Sequence, residues 1–321
     1  MRKFALLCPG QGGQHPDMFA LAETNEHAAI LLAQLDTNGC FGLALKHLLN
    51  TPDQLFDNQF AQPLIVAASL LNWVALCAQS GMDGITPVLV AGYSVGELAA
   101  HAISGEMNVE QAVSLARMRG LAMQSCVASG LSQAMLAVSG IHIDRLQQFC
   151  LIHRLYIAIV TAENNAIVAG LRTDVVAAES ILRQQTTGQL HLSMLPVHIA
   201  SHTPLMLDAT PVFARALEGI FNQQTKPIIT PVVAGVNALK VRDSYGSKQS
   251  LLAQMTQTIR WHECMDAYHE AGIEVVLELG PGSALSRMLQ ARHPHIACRS
   301  VADFRSWSAV AEWVTRQVFS D

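Results

Sequence analysis

The chain has 321 residues, half of them hydrophobic and only 14% charged, with mean hydropathy +0.27. That is enough apolar material for a large buried core, and it excludes a disordered chain. A net charge of −5 and a pI near 6.2 leave no basic excess of the kind that draws proteins to DNA or anionic membranes, so nucleic acid is not an expected partner.

The first apolar stretch, Phe4 to Cys8, is cut by Pro9 and Gly10 and is too short for a signal-peptide core. No apolar run reads as the roughly 18 residues of a membrane helix, so a cytoplasmic location without membrane contact is expected. Seven scattered cysteines with no CxxC pair read as buried small apolar residues rather than a disulfide frame or a metal site.

β-like runs precede glycine turns and helical stretches three times: Phe4–Cys8 before Pro9-Gly10, Pro87–Ala91 before Gly92, and Glu274–Leu279 before Gly280-Pro281-Gly282. This alternation predicts a parallel sheet covered by helices. A helix is expected through Glu97–Ala100. Another starts at Asn108, an N-cap with Gln111 three residues on, and passes Arg119 toward Gln124.

From about Gly130 to His198 the texture becomes a compact βαββαβ pattern, with strands at Ala134–Val138, Tyr156–Val160, Ala166–Ala169 and His191–Val197. No flexible linker separates two halves, so an insertion is the economical reading. Residues 1–128 and 199–321 then form a large catalytic subdomain, and 129–198 a small ferredoxin-like one.

The strongest local signal is Gly92-Tyr93-Ser94-Val95-Gly96, a G-x-S-x-G between an apolar strand and a helix. That is the context of a nucleophile elbow, in which the serine hydroxyl stands exposed at a helix N-terminus; a plain tight βα turn would share the pattern. A serine needs a base within hydrogen-bond reach. Of thirteen histidines, His142, His153, His191, His293 and His295 have nothing to single them out, whereas an apolar strand delivers His202 to a turn in Ser201-His202-Thr203-Pro204.

Taken together, Cys8-Pro9-Gly10-Gln11-Gly12-Gly13-Gln14, the Ser94 elbow, Arg117-Met118-Arg119-Gly120, Ser201-His202 before Leu205-Met206, and Leu279-Gly280-Pro281-Gly282 resemble malonyl-CoA:acyl carrier protein transacylases in order and spacing over nearly the whole chain. The resemblance implies an α/β-hydrolase-like large subdomain with the small ferredoxin-like insertion. It implies malonyl-CoA as donor, an acyl carrier protein as acceptor, no permanently bound cofactor and no metal. Ser94 would be acylated and His202 would be its base.

The backbone N–H groups of Gln11 and Val95 would form the oxyanion hole, and the carbonyl of Gln254, seven residues before Trp261, would orient the histidine. Thr258 stands where the family has proline. Arg119 would hold the substrate's second carboxylate by its planar fork. Arg117 is its rival, but two residues apart on a helix they face different ways, and the family motif selects the arginine before Gly120.

Tyr93 in place of the family's usual histidine, with the Ser-His-Thr-Pro-Leu segment, is similar to the branch serving malonate decarboxylase, its epsilon subunit. Its carrier bears a CoA-like prosthetic group. A fatty-acid or polyketide transacylase is the alternative within the family, and Ser201 leaves open a methyl-branched substrate. An α/β-hydrolase-type esterase is the alternative of another class, although there the acid follows the serine and the histidine comes late. A phosphate-binding loop at Gly10–Gly13 lacks the G-x-x-x-x-G-K-[ST] pattern. A catalytically dead carrier-docking subunit is at odds with the intact Ser94, His202 and Arg119.

Overall fold

The computed structural model describes residues 1–127, 131–185, 190–221 and 228–320. Strand β1 (Phe4–Cys8) leads to helices α1 (Glu26–Thr37), α2 (Leu45–Leu49), α3 (Pro52–Phe56) and α4 (Asn58–Cys77). Then come β2 (Leu89–Gly92), α5 (Gly96–Ile103) and α6 (Val109–Ser125). Asn108 and Gln111 close a reciprocal capping box at the start of α6, as their spacing predicts.

The middle of the chain runs β3 (Gln133–Ser139), α7 (Ile143–Ile152), β4 (Tyr156–Ala162), β5 (Asn165–Leu171), α8 (Arg172–Gln185) and β6 (His191–Met194). The remainder is α9 (Ala209–Phe221), β7 (Val232–Val233), β8 (Lys240–Val241), α10 (Ser244–Thr256), β9 (Ile259–Arg260), α11 (Trp261–Glu270), β10 (Val275–Glu278), α12 (Ala284–Arg292), β11 (Ala297–Ser300) and α13 (Trp307–Phe319).

The main sheet has the order β11-β10-β1-β2-β7-β8, parallel except for the β7–β8 pair. β1 shows why its sequence is apolar throughout. Phe4, Leu6 and Cys8 pack into one helical layer while Ala5 and Leu7 pack into the other, so neither side of the strand meets water.

The second sheet has the order β6-β3-β5-β4-β9. Its first four strands each run antiparallel to their neighbours and have the ferredoxin-like arrangement, with a core of their own among Leu136, Leu146, Val168 and Val175. The fifth, β9, comes from beyond residue 198 and pairs parallel with β4, an addition that a two-residue strand hides from the sequence. The boundary expected at 128/129 lies outside the described residues.

Two sequence expectations need correction. Helix α4 is 20 residues long with a mean hydropathy of 1.7 over an 18-residue window, long and apolar enough to cross a membrane. The polar residues Gln59, Gln62, Ser69 and Asn72 interrupt its apolar pattern and conceal its length. Of that window, 78% is buried inside the fold. The cysteines are all free thiols, but Cys77 is exposed and Cys126 half-buried; the other five are buried as expected.

Candidate active site

The sharp turn after β2 puts Ser94 in the left-handed region, with φ 54°. Glycine is required on both sides for close approach. A Cβ on Gly92 would lie 2.1 Å from the Glu97 backbone nitrogen, and one on Gly96 would lie 2.2 Å from the Cys8 carbonyl oxygen. His202 also has positive φ, 62°. Two non-glycine residues held in this sparsely populated region each cost about 1–3 kcal/mol, and such strain concentrates at functional sites. The His202 turn is pinned by its own N–H to the Met255 carbonyl (3.1 Å) and by the Thr203 hydroxyl donating to the Ala200 carbonyl (2.6 Å).

These two turns bring Ser94 Oγ within 2.8 Å of His202 Nε2. On the other side of the ring, Nδ1–H donates to the backbone carbonyl of Gln254 in a short hydrogen bond. This fixes the tautomer with the Nε2 lone pair toward the serine, the arrangement a general base needs. Thr258, in the place of a proline, donates its hydroxyl to the Ile157 carbonyl at 2.7 Å, which fastens the segment after Gln254 to the small sheet.

Arg119 enters from α6 and is only 1% exposed. Its Nη1 donates to Gln62 Oε1 at 2.7 Å, and its Nη2 makes longer contacts to Ser94 Oγ (3.4 Å) and Gln254 Oε1 (3.3 Å). Its Nε and the Gln254 Nε2 are buried without a hydrogen-bond partner among the described residues. Among the described residues no carboxylate forms an ion pair with Arg119. Burial draws its pKa down to about 10, against the distant attraction of Glu97, so it stays charged at neutral pH. Arg117 packs against Gly42 on another side of α6, the divergence expected from their spacing.

The backbone amides near Ser94 divide in two. Those of Gly96, Glu97 and Leu98 turn back onto the Tyr93, Ser94 and Val95 carbonyls. The N–H groups of Val95 and Gln11 have no acceptor among the described residues. Gln11, Ser94, Ser201 and His202 line one cleft of about 450 Å³, with Met135 and Leu195 of the small subdomain and Arg287 along its walls. A larger groove of about 670 Å³ touches His202 from the far side but does not reach the serine.

Sequence reading misses the supports. Gln62, buried in α4, anchors Arg119 and is itself held by Met123 Sδ at 3.5 Å and Asn58 Oδ1 at 2.8 Å. Glu97, one turn after Ser94 and wholly buried, accepts a short hydrogen bond from Ser250 Oγ of α10 and one from the Gly235 N–H at 3.1 Å. His101 lies between Glu106 (2.6 Å) and Glu97 (3.8 Å). Burial disfavours its charge, but these two carboxylates outweigh it and push the pKa up to about 9. The network ties the nucleophile helix to the helix that carries Gln254. The available signal was polar residues at helical spacing in apolar stretches.

His202 has its pKa lowered to about 3, mainly by burial and then by the Arg119 charge, with the Gln254 carbonyl acting the other way. The imidazole is therefore neutral and able to accept a proton across the neutral range. We expect kcat/KM for acylation to show no acid limb near 6.5 and to hold down to about pH 5. Because the folded pKa is depressed, this residue's contribution to stability is complete above about pH 6.5 and is lost as pH falls toward 3. A pH–rate profile with an inflection near 6.5 would contradict the burial of this ring.

A strained serine at a helix start, a neutral histidine within hydrogen-bond reach and two amides with no acceptor among the described residues are the parts that acyl transfer through a serine requires. The acyl transferase domain family matches residues 5–311, and the chain belongs to that family; it is an acyltransferase. It is 27% identical to the malonyl CoA-acyl carrier protein transacylase of Haemophilus influenzae over 98% of this chain and 100% of the relative. The crystal structure of MCAT from Mycobacterium tuberculosis superposes with a TM-score of 0.86 at 28% identity, covering 96% of this chain and 99% of that one. A type II PKS acyl-carrier protein in complex with its malonyl-transacylase provides a further match, with a TM-score of 0.87 and 25% identity over 97% of this chain and 99% of that one.

Proposed function

We propose that the protein moves a malonyl group from malonyl-CoA to the prosthetic-group thiol of an acyl carrier protein of fatty-acid or polyketide synthesis. The observation that carries this reading is Arg119: a fully buried guanidinium, 3.4 Å from the Ser94 hydroxyl and without a carboxylate partner among the described residues. An unneutralised buried charge costs several kcal/mol, so it makes physical sense as one half of an ion pair whose other half is the substrate. Acetyl or longer alkyl groups would leave it uncompensated.

In the proposed reaction His202 Nε2 takes the Ser94 proton as Oγ attacks the thioester carbonyl. The Gln11 and Val95 amides stabilise the oxyanion, and CoA leaves as the thiol once the proton returns to its sulfur. The carrier's thiol then repeats the same steps in reverse on the Ser94 ester. Gln254 orients the imidazole through its carbonyl.

The malonate decarboxylase epsilon branch is the second reading, favoured by Tyr93 before the nucleophile, whose ring packs edge-on against Trp261 at 5.1 Å. The transacylase relatives favour the first. The deciding experiment offers malonyl-CoA with either a fatty-acid-type carrier or a carrier bearing the CoA-like group of malonate decarboxylase. We expect at least tenfold higher kcat/KM with the fatty-acid type; the reverse preference would establish the decarboxylase reading. The cytoplasm is the proposed location.

A further inference from the structure

At the opposite end of the main sheet's strands from Ser94, three histidines converge. His269 lies in the last turn of α11, His293 caps the C-terminus of α12, and His295 lies two residues before β11. The sheet polarity sets their distance from the chemistry. Ser94 follows the C-terminal end of β2, whereas His269 and His295 precede β10 and β11, which run parallel through Val275 and Ala297 to the same end as β2. At least a strand length, roughly 13 Å, separates the two places.

We propose that His269, His293 and His295 form a binding site for a divalent transition metal ion of the zinc class. The possible ligand atoms of the three residues all lie within 4.8 Å of one another. His269 Nδ1 and His295 Nε2 already stand 3.0 Å apart. Two nitrogens bound tetrahedrally at about 2.05 Å would be roughly 3.3 Å apart, so a small outward turn of the rings accommodates an ion in place of their shared proton.

The surroundings are those of a held ligand set. His293 Nε2 is hydrogen-bonded to Asp266 Oδ1 at 2.9 Å, which assigns its proton to Nε2 and leaves the Nδ1 lone pair as the ligand atom. Asp266 is itself fixed by Arg292 through Nε (2.6 Å) and Nη2 (2.7 Å). It lies three residues before His269, so one face of α11 presents both. Pro294 restricts His293 to an extended backbone, φ −130° and ψ 75°, and spaces the second pair of rings as His-Pro-His. Imidazole nitrogens with no sulfur and no directly ligating carboxylate select zinc, nickel or copper over magnesium or calcium. A bound ion would clip the end of α11 to the connection between α12 and β11, with water completing its shell.

The test uses the untagged full chain, stripped with chelator and desalted, with zinc chloride as the probe. One equivalent should bind at micromolar concentration and raise the Tm by a few degrees. His269→Ala and His295→Ala, both at exposed positions, should each weaken binding at least tenfold and abolish the Tm rise. They should leave acyl transfer unchanged. Asp266→Asn should weaken binding about 10–100-fold through the loosened His293. The proposal is overturned if less than one equivalent binds, if the Tm rise persists in both histidine variants, or if it disappears instead in Cys77→Ser, whose exposed thiol is the competing zinc ligand.

Discussion

Incubated with malonyl-CoA, the wild-type protein should gain one malonyl group by intact mass, and Ser94→Ala should gain none. The thioester-to-thioester exchange is divided into two similar halves by the serine ester, so removing Oγ removes the intermediate and not merely a stabilising contact. Ping-pong kinetics should accompany it. His202→Ala, which keeps the nucleophile but loses the 2.8 Å partner, should slow turnover by about two to four orders of magnitude, the usual range for a lost general base. Labelling of Ser94→Ala, or a wild type that never carries the added mass, would rule out the covalent route.

Arg119→Ala should lose malonyl transfer while acetyl transfer is spared. Removing one partner of a buried charge pair costs about 3–5 kcal/mol, because the substrate carboxylate is then desolvated with nothing opposite it. At about 1.4 kcal/mol per decade this is roughly a hundredfold to several-thousandfold swing in malonyl-over-acetyl preference. Arg117→Ala, altered on the Gly42 side of α6, should change little. The comparison is kcat/KM for both donors in all three proteins. Equal losses for the two donors in Arg119→Ala would make the arginine a structural brace for Gln62 and Gln254, and a selectivity change confined to Arg117→Ala would transfer the role to its neighbour.

Local signals made the catalytic strands legible. β1, β2 and β10 are short apolar runs ended by glycine, and each was placed to within two residues. The Asn108 cap and the βαββαβ order were equally readable, because caps and period-2 alternation are properties of adjacent residues. The placement of Ser94 against His202 was not: they are 108 residues apart, and only the resemblance to a family suggested that they meet. What was lost depends on contacts that no short window contains. Gln62 has meaning only once α4 lies against α6, Glu97 only once Ser250 reaches it, and β9 is a strand only because β4 offers it an edge. His293 and His295 looked ordinary one by one for the same reason, and nothing in the sequence drew attention to His269.

The β9 strand has one more consequence. It is part of the small sheet, yet Ile259 lies five residues after Gln254, and the intervening Thr258 is bonded to Ile157. A hinge rotation that swung the small sheet outward would pull on this short tether and draw the Gln254 carbonyl away from the imidazole before the cleft had widened appreciably. The small sheet is thus coupled to His202, and the cleft between the Gln11 loop and the wall formed by Met135 and Leu195 is expected to keep its width through acylation. Its radius of gyration in solution should be the same before and after acylation; a measurable contraction would show that the tether gives way.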